Sequence, residues 1–505
     1  MRIDDRIDAE FRGLPLAGLA DAALSTAAAL GAGHADVRVE RIARQDLVLR
    51  DGAVAACGDE LTLGLAVRVI VDGTWGFAST PALTTGAAAA TATRAAEVAR
   101  TLRAVNREPV VRAEEPVHAG VSWVSDYEID PFNVPTQDKI ALLAEWSARL
   151  LAADGVDHVW AACPQVKEQK FYADLAGTST TQQRIRLEPR FEATAVDRAA
   201  GRFETMRTLA PPAGRGWEYA TGTGWDFDRE LAEVPDLLAQ RLKAPSVEPG
   251  RYDLVIDPTN LWLTIHESVG HATEYDRAIG YEAAYAGTSF ATPDQLGTLR
   301  YGSEHMHVTG DRTVKHGLAT IGYDDDGVAT TQWDLVRDGL LVGYQLDRTF
   351  ALRLGLARSN GCAFADSPHH VPIQRMANVS LQPDPHRDTT TEELISGVDR
   401  GIYVVGDKSW SIDMQRYNFQ FTGQRFYRIE HGRLAGQLRD VAYQATTTDF
   451  WGSLRAVGGP SSWRLCGALN CGKAQPGQIA AVSHGCPPGL FEQVNVLNAV
   501  REAGK

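Results

Sequence analysis

Residues 251–277 read RYDLVIDPTNLWLTIHESVGHATEYDR, and this stretch predicts a β-strand that runs directly into a helix. The apolar and β-branched run before Asp257 is typical of a strand. Asp257 then offers a helix N-cap, and Pro258 fits the first helical position. Apolar side chains recur at helical spacing and give the helix one face for packing: they are Leu261, Ile265 and Val269.

The polar faces of this helix hold His266, Glu267 and His271 in the spacing HExxxH. Two helical histidines with a neighbouring glutamate are a usual way to bind zinc beside a water molecule. Residues five apart lie about 140° apart around a regular α-helix, so the two imidazoles would not reach one ion. We therefore predict an i to i+5 hydrogen bond around Val269 and Gly270, where glycine removes a side chain. The alternative is a regular helix with two unrelated surface histidines.

A zinc site that keeps an open position for water needs a third protein ligand. The best candidate is Cys471, which lies between asparagine and glycine in LCGALNCGKAQPGQ at 465–478. Cys466 is the main rival, because two thiolates and two imidazoles would form a closed structural site. His484 and Cys486 are weaker rivals.

Zinc held by two imidazoles and one thiolate would lower the pKa of its water toward neutrality. Glu267 is then the expected catalytic base, which accepts a proton from that water. Glu274 and Asp276 follow His271 by one turn and are candidates to orient an imidazole. Other polar groups, for which a surface position is the simpler interpretation, are His305, His307, His369, His370 and Arg375.

The rest of the chain predicts an α+β protein made of three units. Residues 1–112 are expected to form an N-terminal α/β sandwich-like unit, an antiparallel sheet with two helices on one face, and residues 113–240 a middle α+β unit. Residues 241–505 are expected to form a mostly antiparallel β domain that carries the metal-binding helix. Residues 201–250 contain the glycines and prolines of a boundary segment. Helical periodicity in the first two units predicts helices at 19–30, 84–105 and 136–153.

Composition excludes several classes of function. The chain has 505 residues and a formal net charge of −14 without a basic run, which argues against direct nucleic-acid or membrane binding. Its opening, MRIDDRIDAEFRG, lacks the apolar core of a secretory signal, and no window of about 18 apolar residues predicts a membrane span. The six cysteines are too sparse for a disulfide framework, so a reducing cytoplasm is the expected location.

Five sequence blocks occur in an order known from one family: DLVLRDGAVAA at 46–56, GLAVRVIVDGTWGFAST at 64–80, DDDGVATTQWDLVRDGLLVGYQLDR at 324–348, PIQRMANVSLQP at 372–383 and CGKAQPGQ at 471–478. Together with the HExxxH helix, they make the chain resemble the TldD branch of the TldD/PmbA family of zinc metallopeptidases. The resemblance implies Zn²⁺ as the cofactor and His266, His271 and Cys471 as its ligands. Two segments depart from the family pattern, at 408–432 and 481–498.

The resemblance also implies a substrate and a partner. The substrates would be peptides or unfolded protein segments, and the active site would be enclosed in a homodimer or in a heterodimer with a PmbA/TldE-like chain. A second hypothesis is a non-catalytic modulator, since the family has been linked with modulation of DNA gyrase; zinc would then only brace the fold. A third is a cysteine hydrolase that uses Cys471.

Overall fold

The structure is a computed structural model that describes residues 3–502, so the first two and last three residues of the predicted units lie outside it. It is an α+β protein, as predicted. Its helices are α1 (Ala9–Arg12), α2 (Leu16–Ala29), α3 (Thr85–Leu102), α4 (Thr136–Leu151), α5 (Phe227–Lys243), α6 (Pro258–Ile265), α7 (Tyr275–Ala278), α8 (Arg348–Arg353), α9 (Thr391–Ser396), α10 (Thr447–Gly452) and α11 (Ala499–Glu502). The helices α2, α3 and α4 match the three predicted ones within a few residues.

The strands fall into two large sheets and several small ones. The N-terminal strands are β1 (His34–Arg50), β2 (Ala53–Val71), β3 (Thr74–Thr80), β4 (Ala119–Val124), β5 (His158–Ala162), β6 (Gln165–Asp174), β7 (Ser179–Leu187), β8 (Arg190–Asp197) and β9 (Arg202–Arg207). The later strands are β10 (Gly250–Ile256), β11 (Val308–Asp311), β12 (Gln332–Arg337), β13 (Leu340–Leu341), β14 (Ala363–Phe364), β15 (Ile373–Gln374), β16 (Asn378–Leu381), β17 (Arg400–Ile412), β18 (Asn418–Glu430), β19 (Arg433–Leu438), β20 (Val441–Thr446), β21 (Leu454–Val457), β22 (Arg464–Lys473), β23 (Gln478–Cys486) and β24 (Gly489–Asn498).

Strand β1 is the centre of the N-terminal nine-stranded sheet. It pairs antiparallel with β2 on one edge and with β5 and β6 on the other. The sheet runs in the order β4-β7-β6-β1-β5-β8-β9. In addition, β2 pairs with β1, and β3 pairs with β2. Strands from 1–112 and from 113–240 therefore lie in one sheet, and the division of the chain into three units stays a prediction.

Helices α2 and α3 pack together against β1, β2 and β3, as predicted. Alanine dominates the buried face of α3, so the helix backbone lies close to the sheet. The closest approach is at Gly76 of β3, where an added Cβ would lie 2.0 Å from the carbonyl oxygen of Ala95 and 2.7 Å from the amide nitrogen of Ala99. Only glycine fits between the sheet and the helix at this position.

The expectation of a boundary segment at 201–250 was wrong for its second half, which forms the 17-residue helix α5. Asp226 caps this helix, because its side chain accepts a hydrogen bond from the amide of Arg229 at 3.0 Å. The glycines of GRG and TGTG and the two prolines Pro245 and Pro249, which suggested a boundary, flank the helix, and Pro235 lies inside it. The apolar positions that gave the missed signal are Phe227, Leu231, Val234 and Leu238, all buried.

The C-terminal domain is built on a seven-stranded sheet in the order β10-β17-β18-β20-β24-β21, with β19 beside β18. Strand β10 lies between β17, which is parallel to it, and β24, which is antiparallel. Helix α6 follows β10 directly and packs against β17 and against the separate hairpin β22–β23. This sandwich places the HExxxH segment inside the largest core of the described chain. Between residues 3 and 502, no helix is long and apolar enough to cross a bilayer.

We predict that Gly76→Ala lowers the free energy of unfolding by at least about 2 kcal/mol, because the new methyl group meets helix backbone that has no room to move. The measurement is the urea midpoint of the purified variant. Gly86→Ala, in helix α3, is the matched control. Apart from the backbone of its own helix, no described atom would lie within 4 Å of the added Cβ. Its stability should stay within about 1 kcal/mol of wild type. Equal midpoints for the two variants would contradict the close approach.

Candidate metal centre

The helix that carries the two histidines leaves α geometry where the sequence predicts it. Helix α6 ends at Ile265, and a π-helical turn follows at His266–Gly270. The amide of His271 donates to the carbonyl oxygen of His266 at 3.0 Å, which is the predicted i to i+5 hydrogen bond. The two imidazole rings then lie on one side of the helix, with centroids 4.6 Å apart. The geometric prediction for this segment is confirmed.

Cys471 approaches the same point from strand β22. The pairing of β22 with β23 shifts register between Ala468 and Cys471, a bulge that redirects the end of the strand. The sulfur of Cys471 lies 3.7 Å from Nε2 of His271. One ligand atom each from His266, His271 and Cys471 lies within 4.8 Å of the others, and all three residues are buried. The structure thus brings the three predicted ligands together.

The donor set fits a zinc ion. Tetrahedral zinc, with bonds of about 2.3 Å to sulfur and 2.0–2.1 Å to nitrogen, places these two atoms about 3.6 Å apart. The sulfur of Cys471 and Nε2 of His271 are already at that separation. Two imidazoles and a thiol are also ligand types that zinc accepts in catalytic sites. The three donor atoms lie within 4.8 Å of one another. They would have to approach one another by about an ångström to bind one zinc ion.

The two neighbouring cysteines differ in their electrostatic surroundings. Burial opposes ionisation of the Cys471 thiol, but His271 and Arg375 outweigh it and lower the thiol pKa. Burial raises the pKa of the Cys466 thiol, with nearby carboxylates adding to the effect. Since the thiolate is the form that binds metal, the surroundings favour Cys471 over Cys466 as a ligand.

The ring of His271 is held by a carboxylate, as the sequence suggested for Glu274. Nδ1 of His271 and Oε2 of Glu274 are 2.8 Å apart, which leaves Nε2 of His271 directed at Cys471. Burial by itself would raise the pKa of Glu274, but Lys473 and Arg277 outweigh it and hold this pKa well below the usual range. Glu274 therefore remains an acceptor for the imidazole N–H.

Lys473 is a residue that sequence reasoning missed. Its side chain is fully buried, and Nζ lies 3.1 Å from Glu274 and 2.8 Å from Asp276. Asp276 thus pairs with this lysine. Within the described residues it forms no hydrogen bond or salt bridge with an imidazole. The lysine balances the buried carboxylates behind the site, which would otherwise carry a large desolvation cost. Its position two residues after Cys471 in the sequence could have indicated that Lys473 lies near the candidate metal site.

The ring of His266 contacts a third histidine. Nδ1 of His266 lies 2.7 Å from Nε2 of His484, and Nδ1 of His484 lies 2.8 Å from the carbonyl oxygen of Val379. Burial lowers the pKa of His266, and burial with the neighbouring His266 lowers the pKa of His484 well below its usual value. His484 was considered only as a weak rival ligand, and its nitrogens are instead engaged with these two partners.

Glu267 lies beside the two imidazoles and forms an ion pair with Arg416. Nη1 of Arg416 is 2.9 Å from Oε2 of Glu267, and Nη2 donates to the carbonyl oxygen of Ala286 at 3.0 Å. Burial favours the protonated carboxyl, yet the nearby imidazoles and Arg416 together lower the pKa of Glu267. The other carboxylate oxygen, Oε1, has no hydrogen bond within residues 3–502. Arg416 belongs to the segment 408–432, and no sequence motif identified it.

The candidate ligands, Glu267 and Arg416 line one cavity of about 470 Å³. Its floor is formed by His266, Glu267, His271 and Cys471, beside residues of the bulged segment 467–472. The other lining residues include charged and aromatic ones, Arg190, Arg207, Trp262, Asp407 and Trp410, and apolar ones, Leu209, Ala210, Pro211, Pro212 and Leu263. The candidate ligands are therefore accessible to a small or extended molecule.

The four remaining histidine candidates lie away from the site. His305 is exposed, and His307 pairs with Asp334 at 3.0 Å on the surface. His369 is exposed, and His370 contacts Asp366 at 2.7 Å. Arg375 differs from the surface position expected for it, because its side chain is buried and donates to the carbonyl oxygen of Cys471.

Comparison with known proteins identifies the family. The model of the PmbA/TldA metallopeptidase C-terminal domain matches residues 249–498, and the model of PmbA/TldA metallopeptidase domain 1 matches residues 35–100. The chain belongs to the PmbA/TldD family. All of the candidate ligands and Glu267 lie in the matched C-terminal domain of this metallopeptidase family.

Curated relatives match either nearly all or slightly less than half of the chain. A metalloprotease of Methanothermobacter thermautotrophicus is 26% identical over 478 residues, which span 92% of this chain and 95% of that protein. A zinc metalloprotease TldD homolog of Saccharolobus solfataricus is 25% identical over 224 residues, 44% of this chain and 47% of that protein. These names associate the family with a metal cofactor and suggest zinc.

Two solved structures share the fold of this chain. TldE from Thermococcus kodakarensis superposes with a TM-score of 0.69 at 14% identity and covers 94% of this chain and 98% of that chain. A protein of Bacteroides thetaiotaomicron named for modulation of DNA gyrase gives 0.71 at 16% identity and covers 97% of this chain and 100% of that chain.

We predict that Cys471→Ala weakens zinc binding at least about 100-fold, because a catalytic-type site with two ligands loses most of its affinity. Cys466→Ala is the matched control, since it removes a buried thiol from the same strand. It should change zinc affinity little. Competition with a chromogenic chelator measures both. The reverse order of effects would contradict the ligand assignment.

Proposed function

We propose that this chain is a zinc-dependent peptidase that hydrolyses peptides or unfolded protein segments, with His266, His271 and Cys471 as ligands and Glu267 as general base. The observation that carries the proposal is the convergence of three donor atoms within 4.8 Å beside a carboxylate on a cavity floor. Three protein ligands leave one position open, as hydrolytic zinc sites require. The names of family relatives agree with this chemistry.

The roles of the residues follow from their contacts. Zinc, when bound, supplies a Lewis acid that polarises a peptide carbonyl and acidifies a water molecule. Glu267 accepts a proton from that water at Oε1, because Oε2 is engaged by Arg416. The same oxygen then gives the proton to the leaving amine nitrogen. The two imidazoles and Arg416 lower the pKa of Glu267, and the ion pair with Arg416 holds Oε2 of the carboxylate in place.

The cavity suits an extended substrate. A volume of about 470 Å³ holds a few residues of an unfolded peptide, whereas a folded domain would not enter. Residues 467–472 of the bulged strand line it beside the candidate ligands. These features support peptides and unfolded segments as the substrate class.

The assembly and the location belong to the same proposal. The resemblance to the TldD branch leads us to propose a homodimer or a heterodimer with a PmbA/TldE-like chain, in the cytoplasm. Direct binding to nucleic acid or to a membrane is not part of the proposal, given a net charge of −14 without a basic run.

A structural zinc site in a non-catalytic modulator would need a fourth protein ligand. Among the described residues, the group that could hold an ion contains only three, and Cys466 is not one of them. The cysteine-hydrolase alternative would use Cys471 with His271, whose Nε2 lies 3.7 Å from the sulfur. A chelator distinguishes the zinc peptidase from the cysteine hydrolase, because a thiol enzyme keeps its activity when zinc is removed.

We predict that Glu267→Ala retains zinc and the fold but lowers peptide hydrolysis at least about 100-fold, because it removes the base while the three ligands remain. Hydrolysis of an unstructured fluorogenic peptide, together with zinc content, measures the effect. Glu267→Gln is the matched variant, since it preserves shape and an acceptor for Arg416. It should be equally inactive. Loss of zinc from both variants would make Glu267 a ligand, and full activity in either would end its role as base.

A further inference from the structure

His484 lies in the segment 481–498, where the sequence departs from the family pattern, and its side chain is 0% exposed. Its ring stands nearly perpendicular to that of His266, with centroids 4.8 Å apart and an interplanar angle of 82°. Trp262 stacks against it at 6.1 Å. Each ring nitrogen has one polar partner: Nδ1 contacts the carbonyl oxygen of Val379 and Nε2 contacts Nδ1 of His266.

These two contacts fix the direction of both hydrogen bonds. The carbonyl oxygen of Val379 can only accept, so Nδ1 of His484 carries the proton of that bond. A neutral imidazole has one N–H, which leaves Nε2 of His484 as an acceptor. Nδ1 of His266 must then donate across the 2.7 Å contact. The lone pair of His266 consequently resides on Nε2.

We propose that His484 is a positioning residue that holds His266 in its Nδ1-protonated tautomer, with Nε2 free to bind the metal. This inference rests on the proposed function, because it concerns the metal site of that function. The carbonyl group of Val379 sets the tautomer of His484, and His484 in turn sets that of His266. A metal-binding imidazole generally needs such a partner for its second nitrogen, and loss of the partner weakens metal binding.

The two candidate histidine ligands are thus held by acceptors of different charge. Nδ1 of His271 faces the carboxylate of Glu274, whose charge is balanced by Lys473. Nδ1 of His266 faces a neutral ring and needs no balancing cation. A carboxylate in the place of His484 would add an unpaired negative charge to a fully buried position, which is costly. Histidine supplies the acceptor without that cost.

The test compares zinc affinity and cobalt spectra for two substitutions. His484→Leu removes the acceptor and fills the space, so we expect zinc affinity to fall about 10–100-fold. His484→Gln returns an acceptor oxygen near the position of Nε2, so affinity should recover to within a few-fold of wild type. The absorption spectrum of the Co²⁺-substituted protein should change for leucine and resemble wild type for glutamine.

Cys486→Ala is the matched control for packing, because Cys486 is also fully buried in β23 and has no recorded hydrogen bond to His266. It should leave affinity and spectrum unchanged. Wild-type affinity and spectrum in His484→Leu would overturn the inference. Equal loss in the leucine and glutamine variants would also overturn it, because His484 would then itself be a ligand.

Two further variants keep the test decisive. If His484→Leu does not fold by circular dichroism, His484→Asn replaces it, because asparagine can still donate to Val379 but is too short to accept from His266. His266→Ala tests the metal site itself. If it binds zinc as tightly as wild type, the proposed function fails. If it loses zinc while His484→Leu behaves as wild type, only the role of His484 fails.

Discussion

The hydrogen bond from the amide of His271 to the carbonyl oxygen of His266 is the constraint on which the site depends. It inserts one extra residue into a helical turn and brings two imidazoles from opposite faces to one side of the helix. Without it, the rings would diverge by about 140° and Cys471 would meet only one of them. Glu267 gains its position from the same turn, because it lies between the histidines in sequence and faces the same cavity. The two candidate histidine ligands and the proposed base are therefore placed by one local distortion.

The surrounding core satisfies the backbone of this unusual turn. The hydroxyl group of Tyr301 donates to the carbonyl oxygen of Ser268, and the side-chain nitrogen Nε2 of Gln345 donates to the carbonyl oxygen of Gly270 at 2.6 Å. Carbonyl groups near a helix end lack partners from a following turn, so donors from other elements must replace them when the end is buried. The distortion is thus supported by residues remote in sequence, which belong to the β-rich part of the C-terminal domain. The geometry of the candidate metal site therefore depends on the packing of the domain core.

Local patterns predicted the parts of the structure that depend on local chemistry. The capped helix, the three early helices and the π-turn follow from spacing, capping and the reach of an imidazole, all of which are visible in the sequence. Residues that act through contacts distant in sequence gave no such signal. Arg416 reaches Glu267 across 149 positions, and the contact of His484 with His266 spans 218 positions. Helix α5 was missed for a different reason: glycines before it and Pro245 and Pro249 after it suggested a boundary, whereas its buried apolar side chains outweigh the cost of Pro235 within it.

The distance along the chain between the ligands sets the order in which the centre is completed. Cys471 is separated from His271 by 200 residues, so a ribosome adding about 5–20 residues per second needs about 10–40 s to supply the last ligand after the first two. The thiolate also lies on the hairpin β22–β23, which must dock on α6 before the donors converge. Maturation therefore comes at the end of synthesis and folding. If the chain hydrolyses unfolded segments, as proposed, this order of events would protect its own nascent chain, because folding would be complete before the proposed hydrolytic centre exists.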